Sequence, residues 1–446
     1  MSHLESQRFE EQNYTAPRGN TGCCEKNCYN PPTMAATAIT FSEVAPAQKR
    51  TLIAAALGWG LDGFDVLLYS NIQVYVMAAL GIHSKAIAGL PNAFMLLASG
   101  IGGVLFGFIA DRIGRTKALM LSILTYSLCS LGSGLSTSLG VLIFFRFVLG
   151  LGMGGEWNTG ATLVAETWPV HLRARALALV QGAWAWGLAG AALAAWIVLD
   201  LLHLNWRYVF FVGLLPALVT IWIRTSVPES ELWKQHQARS EEKVPFSAIF
   251  SPGLRRNTIV LLLLNVFGLF AWWGLFSWMP PYLTLPVEKG GRGIGLMNTT
   301  WLLVTLNLVG MFPGYLCFGW IADKLGRRRS LALFTLCAAL LIPLYAVARA
   351  QWLILILGAL VGFFGTGFFS GSGLVGSEIF PTAVRARALG FTYNGARALS
   401  CIAPYTIGRV GDSKGLGWAF VICAIAFLLA SMMATQLPET KGKQLE

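Results

Sequence analysis

Charged side chains are scarce in this chain of 446 residues, making up 12% of it, about half the share that wets an ordinary soluble protein. Three soluble domains, the number that this length would allow, could not be covered by so few, so a soluble enzyme is excluded. Histidine is scarcer still, with five in the chain, at positions 3, 83, 171, 203 and 236, none in the middle of an apolar stretch. Any proton carried through the molecule must therefore ride on carboxylates. The eight cysteines form no framework. Cys23, Cys24 and Cys28 lack a fourth ligand and the spacing that zinc needs. The other five stand singly in apolar stretches, which argues against disulfides. Residues 1–50 have no signal-peptide apolar core and read as a disordered tail, with Met34 an alternative start.

What the chain has in plenty is apolar length. Its mean hydropathy is +0.61, and it holds 49 glycines and 16 tryptophans, small residues for close helix approach and indoles for membrane interfaces. Stretches of about 20 apolar residues, enough to cross a hydrocarbon core, recur twelve times, near 52–78, 88–110, 118–136, 139–165, 174–198 and 206–226, then 257–280, 296–320, 330–349, 351–379, 388–409 and 416–436. The runs are too long for barrel strands and do not alternate, so they are read as helices. The expected architecture is an all-α membrane protein of twelve transmembrane helices in two six-helix halves. Its parts are a tail (1–50), an N-terminal bundle (51–226), a linker (227–256), a C-terminal bundle (257–436) and a short C-tail (437–446). With both termini in the cytoplasm, 24 of the 33 Lys and Arg residues fall on the inner side and seven on the outer. The positive-inside rule therefore expects that orientation, in a cell membrane. It also accounts for the +12 net charge without nucleic acid.

A single offset links several motifs. GFIADRIGRTK at 107–117 returns as GWIADKLGRRR at 319–329, and AETWPVHLRARAL at 165–177 returns as SEIFPTAVRARAL at 377–389, each shifted by 212. The halves therefore share an ancestor. Halves of this kind place a substrate site between them near the midplane and expose it alternately to the two sides. The repeated polar positions are expected to form a gating network at the inner face: Gly107, Asp111, Arg112, Arg115, Glu166 and Arg173 in one half, Asp323, Arg327, Glu378 and Arg385 in the other. Gly103, Gly107, Gly150 and Gly154 are read as packing surfaces.

With these motifs in both halves, the chain resembles the major facilitator superfamily of secondary transporters over about residues 50–442. The resemblance implies a transporter rather than an enzyme, no cofactor beyond a proton gradient, and function as a monomer.

Four ionisable residues fall at mid-depth and are not repeated: Asp62 and Asp65 in helix 1, Glu156 in helix 4 and Arg397 in helix 11; Arg146 lies in the outer third of helix 4. Their counterparts at the 212 offset are Gly274, Ser277, Phe368, Ala185 and Gly358. A charge at the bilayer centre costs about 2.5–3.5 kcal/mol on insertion scales, so each is a functional candidate. Asp62 and Asp65, three residues apart, share a helical face, and two carboxylates so close cannot both ionise cheaply. Asp62, Asp65, Glu156 and Arg146 are the proton-coupling candidates, with pairing to Arg146 as the structural alternative for the acids. Arg397 offers a bidentate fork to a substrate carboxylate or pairs permanently with one of the acids. Gln181, Trp184, Trp186, Asn265, Trp272, Trp273, Tyr393 and Asn394 are candidate cavity residues.

GLDGFD in helix 1, RFVLGLGMGGEW in helix 4, VAETWP and the VPESELW just after helix 6 resemble the metabolite:proton symporter branches, which carry sialic, lactic and aromatic acids. In the aromatic-acid branch an Asp-Gly-x-Asp pattern is implicated in transport, and it falls on Asp62, Gly63 and Asp65. That resemblance implies uptake of a small organic carboxylate by proton symport. The alternative is a sugar porter, because residues 438–442 read PETKG, although helix 7 has no glutamine. A drug antiporter is disfavoured by the lack of a Gly-Pro element in helix 5, and a nutrient sensor by the short C-tail.

Overall fold

The computed structural model describes residues 44–231 and 245–442, all helix and connecting turns with no strand among them. Residues 1–43, 232–244 and 443–446 lie outside the described residues, and with them most of the expected tail and the middle of the linker. The chain divides into two units after Val44, and the helical bundle is the second of them, from Ala45 onward.

Six helical spans form the first half: α1 (Pro46–Ala79), α2 (Leu90–Ile113), α3 (Arg115–Gly134), α4 (Leu139–Thr167), α5 (Val170–Trp196), and α6 in two pieces, Arg207–Val212 and Leu215–Ser226. The second half repeats the order with α7 (Arg255–Thr284), α8 (Leu296–Thr305 and Phe312–Leu325, joined through the π-turn Leu306–Met311), α9 (Arg327–Val347), α10 (Gln351–Ile379), α11 (Thr382–Leu399 and Ile402–Lys414) and α12 (Leu416–Gln436). The expected twelve spans are present, and α1 already begins at Pro46. Proline suits that place, because its missing N–H has no partner in a first turn. Pro91, Pro216 and Pro313 open other helical segments in the same way. Among the described residues, ten spans are long and apolar enough to cross a membrane; α3 and α11 fall short. Both carry polar groups that face the interior: Ser122, Tyr126 and Ser130 on α3, and Thr392, Asn394 and Arg397 on α11.

Helices within the first half touch backbone to backbone. A methyl group on Gly187 of α5 would lie 1.7 Å from the carbonyl oxygen of Gly60 in α1, and one on Gly154 of α4 would lie 2.1 Å from that of Ser99 in α2. In an apolar solvent that gives helices no hydrophobic reason to associate, such close contact supplies the attraction.

The seam between α2 and α11 joins the halves. From mid-depth to the face remote from the Pro46 end it is shut. Would-be methyls on Gly103, Gly100 and Gly89 meet the side chain of Asn394, Ala398 and the carbonyl of Pro404 at 2.5–2.7 Å. On the same seam, Gly408 meets the carbonyl of Lys85 at 2.5 Å. One turn the other way, Gly107 faces open space, so it is not a packing surface here. The Pro46 side is the basic face of the molecule, and the opposite side is its far face.

Candidate functional site

Three acids lie in the core of the first half. Asp62 and Asp65 on α1 are 0% exposed and Glu156 on α4 is 1% exposed, and none of their six carboxylate oxygens has a hydrogen-bond partner among the described residues. Glycine makes the room. A methyl on Gly58 would lie 2.0 Å from Glu156 Oε1, and one on Gly213 would lie 2.1 Å from both Asp65 Oδ1 and Ser130 Oγ. Tyr126 of α3 donates its hydroxyl to the Gly58 carbonyl at 3.2 Å and lies within electrostatic reach of all three acids.

Arg146 does not neutralise them. Its guanidinium donates to the carbonyl oxygens of Asp65 (3.0 Å) and Val66 (2.7 Å) and to Asn92 Oδ1 (3.0 Å). Among the described residues no carboxylate lies within ion-pair distance of it, so the expected acid–Arg146 pairing is not made. Arg146 instead holds the backbone of α1, with a second grip on α2 through Asn92.

Arg397 is placed differently. It is 2% exposed, its Nε has no hydrogen-bond partner among the described residues, and its guanidinium carbon stands 5.6 Å from the centre of the Tyr393 ring. Across the seam it acts electrostatically on Asp62 more strongly than Arg146 does. Asp65 feels Ser130, Asp62 and Arg146 instead. The two aspartates that one helical face presents thus have different surroundings: Asp62 feels Arg397 of the second half as well as Arg146, whereas every group acting on Asp65 belongs to the first half.

Indoles surround this charge cluster. Trp184 of α5 rests on Gly63, where a methyl would meet its ring at 3.1 Å. Trp59 lies 4.5 Å from Trp184 and 4.8 Å from Trp157, centre to centre, and Trp273 of α7 meets Trp184 edge-on at 6.4 Å from the other half. The Tyr315 hydroxyl of α8 reaches Gln181 of α5 and feels the Tyr393 hydroxyl. Trp184, Trp273, Gln181 and Tyr393 therefore sit where the halves meet, and Asn394 packs into the seam. Two other candidates turn away. Trp272 stacks within the second half on Phe276 at 3.8 Å. Asn265 hydrogen-bonds with Ser372 and with the carbonyl of Thr392, which occupies its amide. Trp186 is 57% exposed and meets Phe312 of the second half edge-on at 6.1 Å.

The repeated motifs build one device twice. Arg115 binds Asp111 at 2.8 Å and Glu166 at 3.4 Å; Arg327 binds Asp323 at 2.8 Å and Glu378 at 3.3 Å. Each arginine follows a glycine of positive φ, Gly114 at +105° and Gly326 at +96°, a turn open to glycine because it has no Cβ. A carboxylate then caps the next helix: Glu229 accepts the N–H of Arg115 at 2.9 Å, and Glu439 accepts that of Arg327 at 2.8 Å. Arg173 and Arg385 reach the carbonyls of Trp168 and Phe380, at the same basic face as Arg112. All these contacts join helices of a single half.

The far face carries a contact between halves. Asp412, at the end of α11, accepts hydrogen bonds from Ser84 Oγ (2.8 Å), Lys85 N (2.8 Å) and Ala86 N (3.1 Å), and Lys85 Nζ lies 3.6 Å from it. Partial burial pushes its carboxyl up, but these bonds and the Lys85 charge outweigh it and hold Asp412 below the usual carboxylate range.

The profile of the Major Facilitator Superfamily matches residues 51–301 and 285–445. The chain belongs to that superfamily. It is accordingly a multi-pass membrane transporter and not an enzyme. Among its relatives in the superfamily is the cis,cis-muconate transport protein of Acinetobacter baylyi, 31% identical over 86% of this chain and 93% of its own. The sialic acid transporter of Escherichia coli is 31% identical over 89% of this chain and 96% of its own. The crystal structure of a D-xylose–proton symporter shares the fold, with a TM-score of 0.73 over 88% of this chain and 99% of the other, at 20% identity.

One element of the site repeats at a different offset. PES at 228–230 and PET at 438–440 are a further repeat, shifted by 210 rather than 212. Glu439 is therefore a helix cap with a twin in the other half, and PETKG loses its weight as a sign of sugar transport. Trp59, Trp157, Tyr126 and Asp412 carried no sequence signal beyond residue type, since only folding brings them to their partners.

Proposed function

We propose that this transporter imports a small organic carboxylate together with a proton, with the basic face in the cytoplasm of a cell membrane and one chain sufficient. The observation that carries this reading is Arg397, a guanidinium only 2% exposed at the seam, whose Nε has no hydrogen-bond partner among the described residues and whose charge reaches Asp62 of the opposite half. A buried cation without a counter-charge is expensive. With Asp62 ionised, the pair is balanced. A proton on Asp62 leaves Arg397 in need of another anion, which a substrate carboxylate supplies through the guanidinium fork. A proton alone or an anion alone leaves one charge uncompensated in a dry seam, so the two cross together. Glu156 beside Ser122 and Asp65 beside Ser130 extend the proton's path within the first half. A sugar brings no anion to Arg397, and the two acid carriers among the relatives agree with the carboxylate reading.

The experiment is uptake into proteoliposomes holding the full chain, with and without an imposed pH gradient, against a panel of carboxylates and D-xylose. Accumulation of an acid that stops when the gradient is collapsed, and that Asp62→Asn abolishes while exchange persists, is the expected result. Accumulation indifferent to the gradient, or of the sugar alone, overturns the proposal.

A further inference from the structure

The three buried acids face one stripe of α3. Ser122, Tyr126 and Ser130 recur every four residues, so they lie on one face of that helix, and all three are 0% exposed. Ser122 stands beside Glu156 at one end of the stripe, and Ser130 beside Asp65 at the other. Asp65 Oδ1 and Ser130 Oγ both lie 2.1 Å from the point where Gly213 would carry a methyl, so they are at most twice that distance apart. Tyr126 is the middle rung. Its hydroxyl meets the carbonyl of Gly58 at 3.2 Å, and the methyl that Gly58 lacks would lie 2.0 Å from Glu156 Oε1. Glu156, Asp62 and Asp65 all act on it electrostatically, Glu156 the most strongly.

Each hydroxyl of the stripe is parked on a backbone carbonyl. Ser122 donates to Gly152 at 2.6 Å, Tyr126 to Gly58 at 3.2 Å and Ser130 to Phe210 at 3.3 Å. Their oxygens are thereby left to accept. For Tyr126 the bond is dispensable, because Gly58 lies inside α1 and its carbonyl also receives the helical N–H four residues on. Turning such a hydroxyl away costs about 1 kcal/mol.

We propose that Tyr126 relays the proton between the aspartate pair of α1 and Glu156 of α4, along a lane of α3 hydroxyls inside the first half and apart from the seam where Arg397 stands. This rests on the proposed symport with a proton. A protonated aspartate gives its proton to the Tyr126 oxygen while the tyrosine's own proton passes to the Glu156 carboxylate. One O–H bond breaks and one forms at the tyrosine, which is neutral before and after. Gly58 and Asp65 are separated by about 10 Å of α1 at the helical rise, and the relay carries the proton over that depth towards the basic face.

The test needs no substrate. The purified full chain is moved from H2O to D2O, and exchange of its protonated carboxyls is followed by infrared spectroscopy, with Glu156→Gln identifying the Glu156 band. Tyr126→Phe keeps the ring and deletes the hydroxyl, so exchange at Glu156 should slow about tenfold or more. 3-Fluorotyrosine at position 126 keeps the shape and the hydroxyl but is a stronger acid, and should change that rate about threefold or more. A hydroxyl that served packing alone would leave the fluorinated protein at the wild-type rate. That outcome overturns the relay, as does exchange in Tyr126→Phe at the wild-type rate; if Tyr126→Phe does not fold, the fluorinated protein decides alone. A Glu156 with no protonated band between about pH 5 and 8 also overturns it. The reading beneath fails separately: uptake indifferent to the pH gradient overturns symport, whereas gradient-driven uptake with unaltered exchange overturns Tyr126 alone.

Discussion

Removing the Asp412 side chain should unlock the far face, by an amount that can be worked out. Three hydrogen bonds converge on that carboxylate from Ser84, Lys85 and Ala86 of the other half, at 2.8–3.1 Å. Bonds to a charged group contribute about 1.5–3 kcal/mol each when sheltered. The Asp412 side chain keeps 30% of its surface open, so solvent screening reduces this to about 0.7 kcal/mol apiece. Asp412→Ala therefore costs the far-closed state about 2 kcal/mol, or about 30-fold in the equilibrium. A population that is ~1% open at the far face becomes ~20% open. Asp412→Asn keeps one acceptor oxygen and should shift the equilibrium about fivefold. Spin labels at Leu135 and Val347, exposed and on opposite halves, report the opening as a longer component in the distance distribution. If Asp412→Ala leaves that distribution at its wild-type form, the contact holds nothing and the reasoning fails.

The same geometry sets other outcomes. Because Asp412 is held below the usual carboxylate range, the far-side contact is fully present above about pH 4 and weakens only as pH falls through the lowered value. Labels at the same positions should give one distribution from pH 5 to 8, and a transition inside that window counts against the assignment. Arg397→Lys keeps the charge but loses the fork, and a fall of about tenfold or more in apparent substrate affinity is expected; unchanged affinity would make Arg397 a structural residue. Asp65→Asn should stop accumulation in proteoliposomes while sparing exchange, and accumulation at the wild-type level removes Asp65 from the proton's path. Gly187→Ala drives a methyl to within 1.7 Å of the Gly60 carbonyl, a backbone clash worth about 1–3 kcal/mol, read as a fall of several degrees in melting temperature.

Helix number, the duplication and the burial of Asp62, Asp65, Glu156 and Arg397 were legible because oil imposes them on the sequence. A span must be apolar, a repeat is visible at a fixed offset, and a lone charge at mid-depth stands out. Partnership was not legible. Arg146 looked like a counter-ion for the acids, but its fork closes on the carbonyls of Asp65 and Val66, which sequence cannot display because every residue has a carbonyl. Trp272 and Trp273 are neighbours in sequence and point to different places, one into the second half and one to the seam. That difference depends on the rotation of α7, which a helix apolar on all sides does not encode. The Glu229 and Glu439 caps could have been found, since PES and PET repeat, but a shift of two residues from the main offset hid them.

The Gly103–Asn394 contact has a mechanical consequence. It is the last tight point on the α2/α11 seam before the gap at Gly107, and it lies within one turn of Arg397. A lever that pivots there swings its ends through the greatest arc and its fulcrum through almost none. With arms of ~15 Å, half the hydrocarbon thickness, a tilt of ~20° carries each mouth by ~5 Å while Arg397 and Asp62 keep nearly constant separation. On the proposed reading, in which Arg397 holds the cargo, a carrier pivoting there would change which side it faces without loosening its hold, because hinge and grip would be at the same height.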